Sequence, residues 1–427
     1  MERFETMKKL EYSDDGKCVY GGRAVKGRID FPEGVTEIAS CAFMDREKLR
    51  SVTFPNSLVE IGRQAFWNCQ SLTLDALPQN LRSLGIGAFA FTGVHGSLTI
   101  PSGVTRIESQ AFKGCNIWSV SFSPKLTEIG SCAFRLNNLL HEVELPKGLK
   151  KIDFGAFELC DELDEISFPD GLISIGKDAF ANCPLKSVFI PASVVEIGGG
   201  AFVGTRKIEV APENPNFITR DGVLFTRDMT TLVSCPQGLE LSEYRVPDGV
   251  TTIAARAFDG CKTIEKIVLP NSVRTIGDDA FRHCDSLKAA DLPDGLTELG
   301  LSAFAYCSEL SIARLPESLV AIHSGVFEEC KSLTSVTLPS KLETIPFRMF
   351  DACESLERIE LPAGVTKIEE SAFYRCLNLK EVALPAGLTS IGSHAFYRCS
   401  PELELDVPDS VKEPVETFWK KFDPEED

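Results

Sequence analysis

The chain has 427 residues, 43% of them hydrophobic, and its 62 acidic residues against 44 basic ones give a net charge of −18. That balance disfavours nucleic acid and anionic lipid as partners, and no stretch approaches the ~20 consecutive apolar residues of a membrane span. A globular chain of this length would split into two or three domains, unless it is a repeat array whose core lengthens instead of thickening.

Residues 1–34 open the chain. Met1 to Leu10 is charged and lacks the apolar run of a secretory signal, which leaves two readings open: an intracellular protein, or one whose export segment lies outside this sequence. Tyr12 to Tyr20 (YSDDGKCVY) carries a turn signal, and the segment is expected to cap the exposed sheet edge of the first repeat.

From residue 35 a phenylalanine preceded by a small residue returns every 22 or 23 positions: Phe43, Phe66, Phe89, Phe112, Phe134, Phe157, Phe180 and Phe202, then Phe258, Phe281, Phe304, Phe327, Phe350, Phe373 and Phe396. One gap of 56 residues separates Phe202 from Phe258. A constant period of 20 to 50 residues marks stacked repeats. The unit Leu379 to Cys399 (LKEVALPAGLTSIGSHAFYRC) shows the plan. Leu379, Val382 and Leu384 have the spacing of an inward-facing strand with an anchor before it. Pro385 ends its ladder, Leu388 and Ile391 form a second apolar pair, and Gly392 follows where the chain must turn. Ala395 and Phe396 precede Cys399, a spacing suited to one helical or 3₁₀ turn. Copies of so short a strand would pair in parallel at about 4.8 Å, and fourteen junctions would extend roughly 70 Å. The phenylalanines then read as a buried column of stacked rings. Asp75 and Ala290 sit at strand positions that want a larger apolar residue, and Ser123 intrudes before Pro124, so those strands should be weak or bulged.

The repeats occupy 35–211 and 246–408. Between them, 212–245 reads as a β-hairpin insert: a strand entering and leaving a turn within Phe217 to Phe225, a second turn at Arg227-Asp228-Met229, and a partner strand over Thr231 to Ser234. Residues 409–427 read as a C-terminal cap, with Val415 to Phe422 folding over the last repeat before the acidic tail Asp423 to Asp427.

The same letters recur in Leu356–Ile359–Leu361–Pro362, Leu333–Val336–Leu338–Pro339 and Leu163–Ile166–Phe168–Pro169. In this pattern the chain resembles the BspA-like, or Treponema pallidum-type, leucine-rich repeats, LxxIxLPxxLxxIGxxAFxxC, over about Val35 to Pro408. The resemblance implies an α/β, right-handed leucine-rich-repeat solenoid, mostly short parallel β-strands with 3₁₀ or short helical turns and one β-hairpin insert. It also implies a non-enzymatic protein-binding module, a bacterial surface or secreted adhesin-like protein meeting host or neighbouring-cell proteins. The alternative is a cytoplasmic interaction scaffold.

Of 15 cysteines, eleven stand three residues after the phenylalanine, from Cys69 to Cys399. Arg46, Thr92, Asn137 and Thr205 replace them in other units. Neither a disulfide nor a zinc ligand exchanges for threonine, whereas a small side chain that packs and hydrogen-bonds locally does, so free structural thiols are expected. Such a number of thiols favours a reducing compartment.

No nucleotide, zinc-protease or serine-hydrolase motif appears. Gly198-Gly199-Gly200 falls at a repeat turn, and Asp14-Asp15-Gly16, Asp221-Gly222 and Asp278-Asp279 lack the alternate oxygens of a calcium loop. His283 and His394 lie in different repeats. The sequence therefore assigns no catalytic residue, metal site or cofactor, and implies a protein ligand and a monomer. If the first strand of each unit lines a concave face, its outward residues form two rows. Most are small and polar. Phe189, Val268, Ile312 and Arg314 depart from that, with Glu144, Arg358 and Glu360 supplying charge, and these seven are the candidate partner-binding residues.

Overall fold

The computed structural model describes residues 10–22 and 26–421. It divides into two compact units, Met1–Gly222 and Val223–Asp427. Each is a stack of coils with the same internal plan: a long strand, a proline turn, a short strand and a second, wider turn.

The long strands are three to six residues long and pair in parallel with those of adjacent coils. Asn116–Ser121 lies between His95–Thr99 and Glu142–Glu144 in the first unit, and Ile312–Arg314 between Ala289–Asp291 and Ser335–Thr337 in the second. The apolar residue between the two outward rows points inward, as at Val120, Val188 and Ala313, and the residues on either side of it are more exposed. After the strand, a proline carbonyl accepts the amide three residues on, Leu388 to Pro385 at 3.0 Å, and closes the corner. The short strands, such as Lys151–Ile152 and Thr275–Ile276, form a second parallel ladder along the stack.

The wide turn is not helical. Counting from the phenylalanine, the residues two before and two after lie in the left-handed region in every coil, with φ between +51° and +62° where they are not glycine. Each such residue costs about 1–2 kcal/mol, and the hydrogen-bond pattern explains why the fold tolerates it. In the Phe350 coil the amides of Arg348, Phe350 and Ala352 donate to the next coil's Glu370, Ala372 and Tyr374 carbonyls at 3.3, 2.8 and 2.7 Å. The intervening amides of Met349, Asp351 and Cys353 close three-residue turns within their own coil, each at 3.2 Å. A 3₁₀ or α-helical turn would direct every amide along its own axis and leave none for the stack. Alternating hand satisfies both sets.

Above this turn lie the rings. All fifteen repeat phenylalanines are buried to within 1%. Their centroids lie 5.2–6.3 Å apart in the first unit and 4.9–5.9 Å in the second. Beside them runs a column of thiols. Sγ of Cys69 donates to the carbonyl of Phe43, one coil back, at 3.1 Å, and Cys183 to Phe157, Cys330 to Phe304 and Cys399 to Phe373 do the same at 3.0–3.1 Å. The replacements differ: the Asn137 amide bridges the carbonyls of Phe112, one coil back, and Phe134, the Thr92 hydroxyl donates to Phe89 of its own coil, and the buried Thr205 hydroxyl makes no hydrogen bond. All fifteen cysteines are free thiols.

Glycine at the IG position serves close approach, not a turn of unusual hand. A Cβ on Gly62, Gly176 or Gly392 would lie 2.4–2.6 Å from backbone of the preceding coil, and Gly392 donates its amide to Ile368 at 2.8 Å across that contact.

Of the strands expected to be weak, the one holding Asp75 is reduced to a single bridge, Ser51 to Thr73. The strand preceding Ser123 carries a register shift between Ile117 and Ser119, while Ala290 stands in a regular strand. The 56-residue gap contains a coil of its own. Cys235 takes the phenylalanine position there, donating its amide to Ala257 at 2.7 Å and accepting the Cys261 thiol at 3.6 Å. The added length is a hairpin: Val223–Thr226 runs antiparallel to Thr231–Ser234, and Thr231–Leu232 joins the short-strand ladder beside Thr252–Ile253. The first unit starts in the same way, Leu10–Tyr12 against Cys18–Gly22, with Cys18–Val19 beside Glu37–Ile38. Ser13 and Thr226 each bond the acid two residues on (Asp15, Asp228) and cap the returning strand. At the far end, helix Val415–Phe418 buries Phe418, and Trp419–Lys421 pairs with Phe396–Cys399. The expected acidic tail and part of the expected N-terminal cap, residues 1–9 and 23–25, lie outside the described residues.

Candidate protein-binding surface

The two rows expected on the long strands exist, because parallel pairing in register sets equivalent residues side by side. In the first unit, Thr99, Ser121 and Glu144 are neighbours in one row, as are Ser97, Ser119 and Glu142 in the other. The Ser119 hydroxyl donates to that of Ser97 at 2.8 Å. Phe189 lies beside Glu209 in the first of these rows and is 54% exposed.

In the second unit, Asp291, Arg314 and Thr337 share one row, and Ala289, Ile312 and Ser335 the other. Ile312 is also 54% exposed. Arg314 is engaged: Nε contacts Asp291 at 2.7 Å and Nη1 contacts Asp294 at 3.3 Å. These acids raise its pKa, the Asp291 hydrogen bond most. It therefore stands in an acid–base cluster and not as a bare cation. Two coils before Arg314, the half-buried Val268 pairs with Arg245 of the adjacent coil, and two coils after it Arg358 and Glu360 flank Ile359. The seven candidates thus do not form one patch. Glu144 and Phe189 belong to the first unit, and the other five are spread over the second.

Chemistry of another kind is sparse. Among the described residues no three His, Cys, Asp or Glu side chains converge on a metal position. His283 packs on Tyr306 and His394 on Tyr397, at 4.8 and 4.3 Å between ring centroids. The acids of the turn at Asp15 and of the turn at Asp228 accept hydrogen bonds from their own loops, which lower their pKa values.

Sequence reasoning missed one feature, a slot in the short-strand wall of the second unit. The amide after the short strand's isoleucine donates to the coil before it at every repeat except two, where Glu108 and Pro346 stand. At Pro346 no amide proton exists, and the ladder breaks between Ala321–Ile322 and Thr344–Ile345. Both flanks stay closed: the long strands Ile312–Arg314 and Ser335–Thr337 pair, and Gly325 and Phe327 donate to Phe347 and Met349 at 2.8 and 3.0 Å. The opening between them has a volume of about 810 Å³. A proline at the glycine position of the repeat was the legible signal.

The model of the BspA-type leucine-rich repeat region matches residues 24–95, 86–209, 234–356 and 311–420. The chain belongs to the BspA-type leucine-rich repeat family. No curated protein matches it by sequence. Three solved structures share the fold of this BspA-type array, each with a TM-score of 0.51. A leucine-rich cell surface protein of Faecalibacterium prausnitzii is 24% identical over 92% of this chain and 91% of its own. A leucine-rich repeat protein of Eubacterium ventriosum is 21% identical, covering 94% and 95%. The pneumococcal vaccine antigen PcpA is 20% identical, covering 90% and 93%. Membership in this family makes the protein an interaction module built on repeats. Among the described residues no helix is long and apolar enough to cross a membrane.

Proposed function

We propose that this BspA-type array is a non-enzymatic adhesin-like protein that binds a protein ligand on its long-strand rows at a bacterial surface. The observation that carries the reading is the pair of large apolar side chains, Phe189 and Ile312, each 54% exposed in a row of otherwise small or charged residues. An exposed aromatic or aliphatic anchor ringed by polar groups is the usual centre of a protein interface. Glu209 and the Arg314–Asp291–Asp294 cluster supply the polar rim. The surface setting draws its support from a relative described as a cell surface protein and another described as a vaccine antigen. The fifteen free thiols favour a second reading, an interaction scaffold inside the cell.

Affinity capture with the intact array decides between them, comparing host extracellular-matrix extract with the source organism's own lysate. The adhesin reading expects a ligand from the matrix whose binding falls at least tenfold in a Phe189→Ala, Ile312→Ala double variant that melts like the parent. A ligand found only in the lysate favours the scaffold. Undiminished affinity in the double variant removes the strand rows.

A further inference from the structure

Every parallel ladder in this protein uses the same groups: carbonyls of one coil facing amides of the next. At the Pro346 slot both sets are present and neither is used. Elsewhere the residue after the short strand's leading leucine accepts two amides from the next coil, as Thr297 does from Val320 and Ala321 at 3.0 and 3.2 Å. The equivalent acceptor here is the Val320 carbonyl, and the equivalent donors are the amides of Glu343 and Thr344, with no bond joining them. The Ile322 carbonyl lacks its partner because residue 346 is proline. Val320 itself is 86% exposed.

We propose that this slot is a strand-acceptor site, binding an extended basic polypeptide segment as an added parallel strand. Such a segment would donate to the Val320 and Ile322 carbonyls on one side and accept from the Glu343 and Thr344 amides on the other, completing the interrupted ladder. The opening of about 810 Å³ falls in the range of preformed ligand sites. Charge sets the preference: Glu317, Glu343 and Glu369 border the slot against Lys341 and His323. Lys341 already lies close enough to lower the Glu317 pKa, after the Ser340 hydrogen bonds that dominate it. A segment alternating lysine with a small apolar residue presents its cations to these acids and its apolar residues to the wall. The site is separate from the long-strand rows, so either can fail without the other.

The probe is a synthetic decapeptide, (Lys-Val)5, added to the full chain, read by hydrogen exchange at the Glu343 and Thr344 amides and by fluorescence anisotropy. The expected results are at least tenfold slower exchange at those two amides and no binding by a copy N-methylated at alternate residues, which keeps the charge but loses the strand edge. Pro346→Gly restores a donor to Ile322 and closes the wall, and should weaken the peptide at least tenfold while raising the melting temperature. Glu343→Gln leaves the backbone untouched and should weaken it severalfold. Unchanged exchange at both amides, equal binding by the N-methylated peptide, or full binding by Pro346→Gly would each overturn the proposal.

Discussion

Phe304→Ala tests the ring column directly. Phe304 is fully buried, with Phe281 at 4.9 Å and 10° on one side and Phe327 at 5.9 Å and 21° on the other. Removing the ring deletes one layer of the column and leaves a cavity that the stack cannot collapse, because the backbone on both sides is pinned. The Phe281 and Phe304 amides donate to Ala303 and Val326 at 2.8 and 2.9 Å. Deletions of this kind cost about 3–5 kcal/mol, and two stacked contacts of ~0.5–1.5 kcal/mol each fall within that figure. Since a coil contacts only its neighbours, the loss should be local. Native-state hydrogen exchange in low urea should show the Phe281, Phe304 and Phe327 amides losing protection by roughly 10²- to 10⁴-fold. The Phe89 amide, bonded to Ala111 at 2.9 Å in the first unit, should keep its own. Phe304→Leu, which fills part of the space, should lose about half as much. A loss below about 1 kcal/mol, or one spread evenly over both units, would refute the column as the source of stability.

Three further outcomes are expected. In the thiol column, Cys330→Ala should cost about 1–2 kcal/mol by removing the donor to the Phe304 carbonyl at 3.1 Å, and Cys330→Thr, whose hydroxyl would bond the Phe327 carbonyl of its own coil as Thr92 bonds Phe89, should recover part of it; urea midpoints compare them. Burial pushes the Cys69 and Cys115 thiols up to about 11, and Cys41 is exposed. Iodoacetamide at pH ~8 should therefore label Cys41 well before any column cysteine, read by mass spectrometry, and early labelling of the column would contradict the packing. Burial also raises Asp351 to about 6, against the opposing pull of Arg348 at 3.6 Å. The folded state then holds a proton that the unfolded chain releases, so this group's contribution is favourable below the ordinary carboxylate value and is lost as pH rises through about 6. Stability of the parent relative to Asp351→Asn should fall by roughly 2 kcal/mol between pH 4 and 7, and parallel pH profiles of the two proteins would exclude it.

The period, the inward strand positions, the ring column and the hydrogen-bonding role of the cysteines were all legible in the sequence, because each repeats a local pattern of residue types. The Asp75 strand is reduced to one bridge as expected, but so is the strand of Leu163, Ile166 and Phe168, whose letters fit the repeat. The left-handed turns were not legible: −2 and +2 hold Asn and Gly but also Leu159 and Tyr306, residues with no such preference alone. Only the neighbouring coil, by demanding alternate amides, selects that backbone. Glycine at the IG position likewise reads as a turn in one dimension and proves to be a point of contact between coils in three.

What the letters determined is therefore whatever one coil can specify by itself: apolar spacing, corners and ring. The tertiary structure decided whatever requires two coils: which amides face along the stack, that Arg314 is held by Asp291 and Asp294, and that Pro346 leaves a gap in the wall. The physical reason is that a hydrogen bond or a close approach belongs to a pair, and residues about 23 positions apart meet only when the chain has wound.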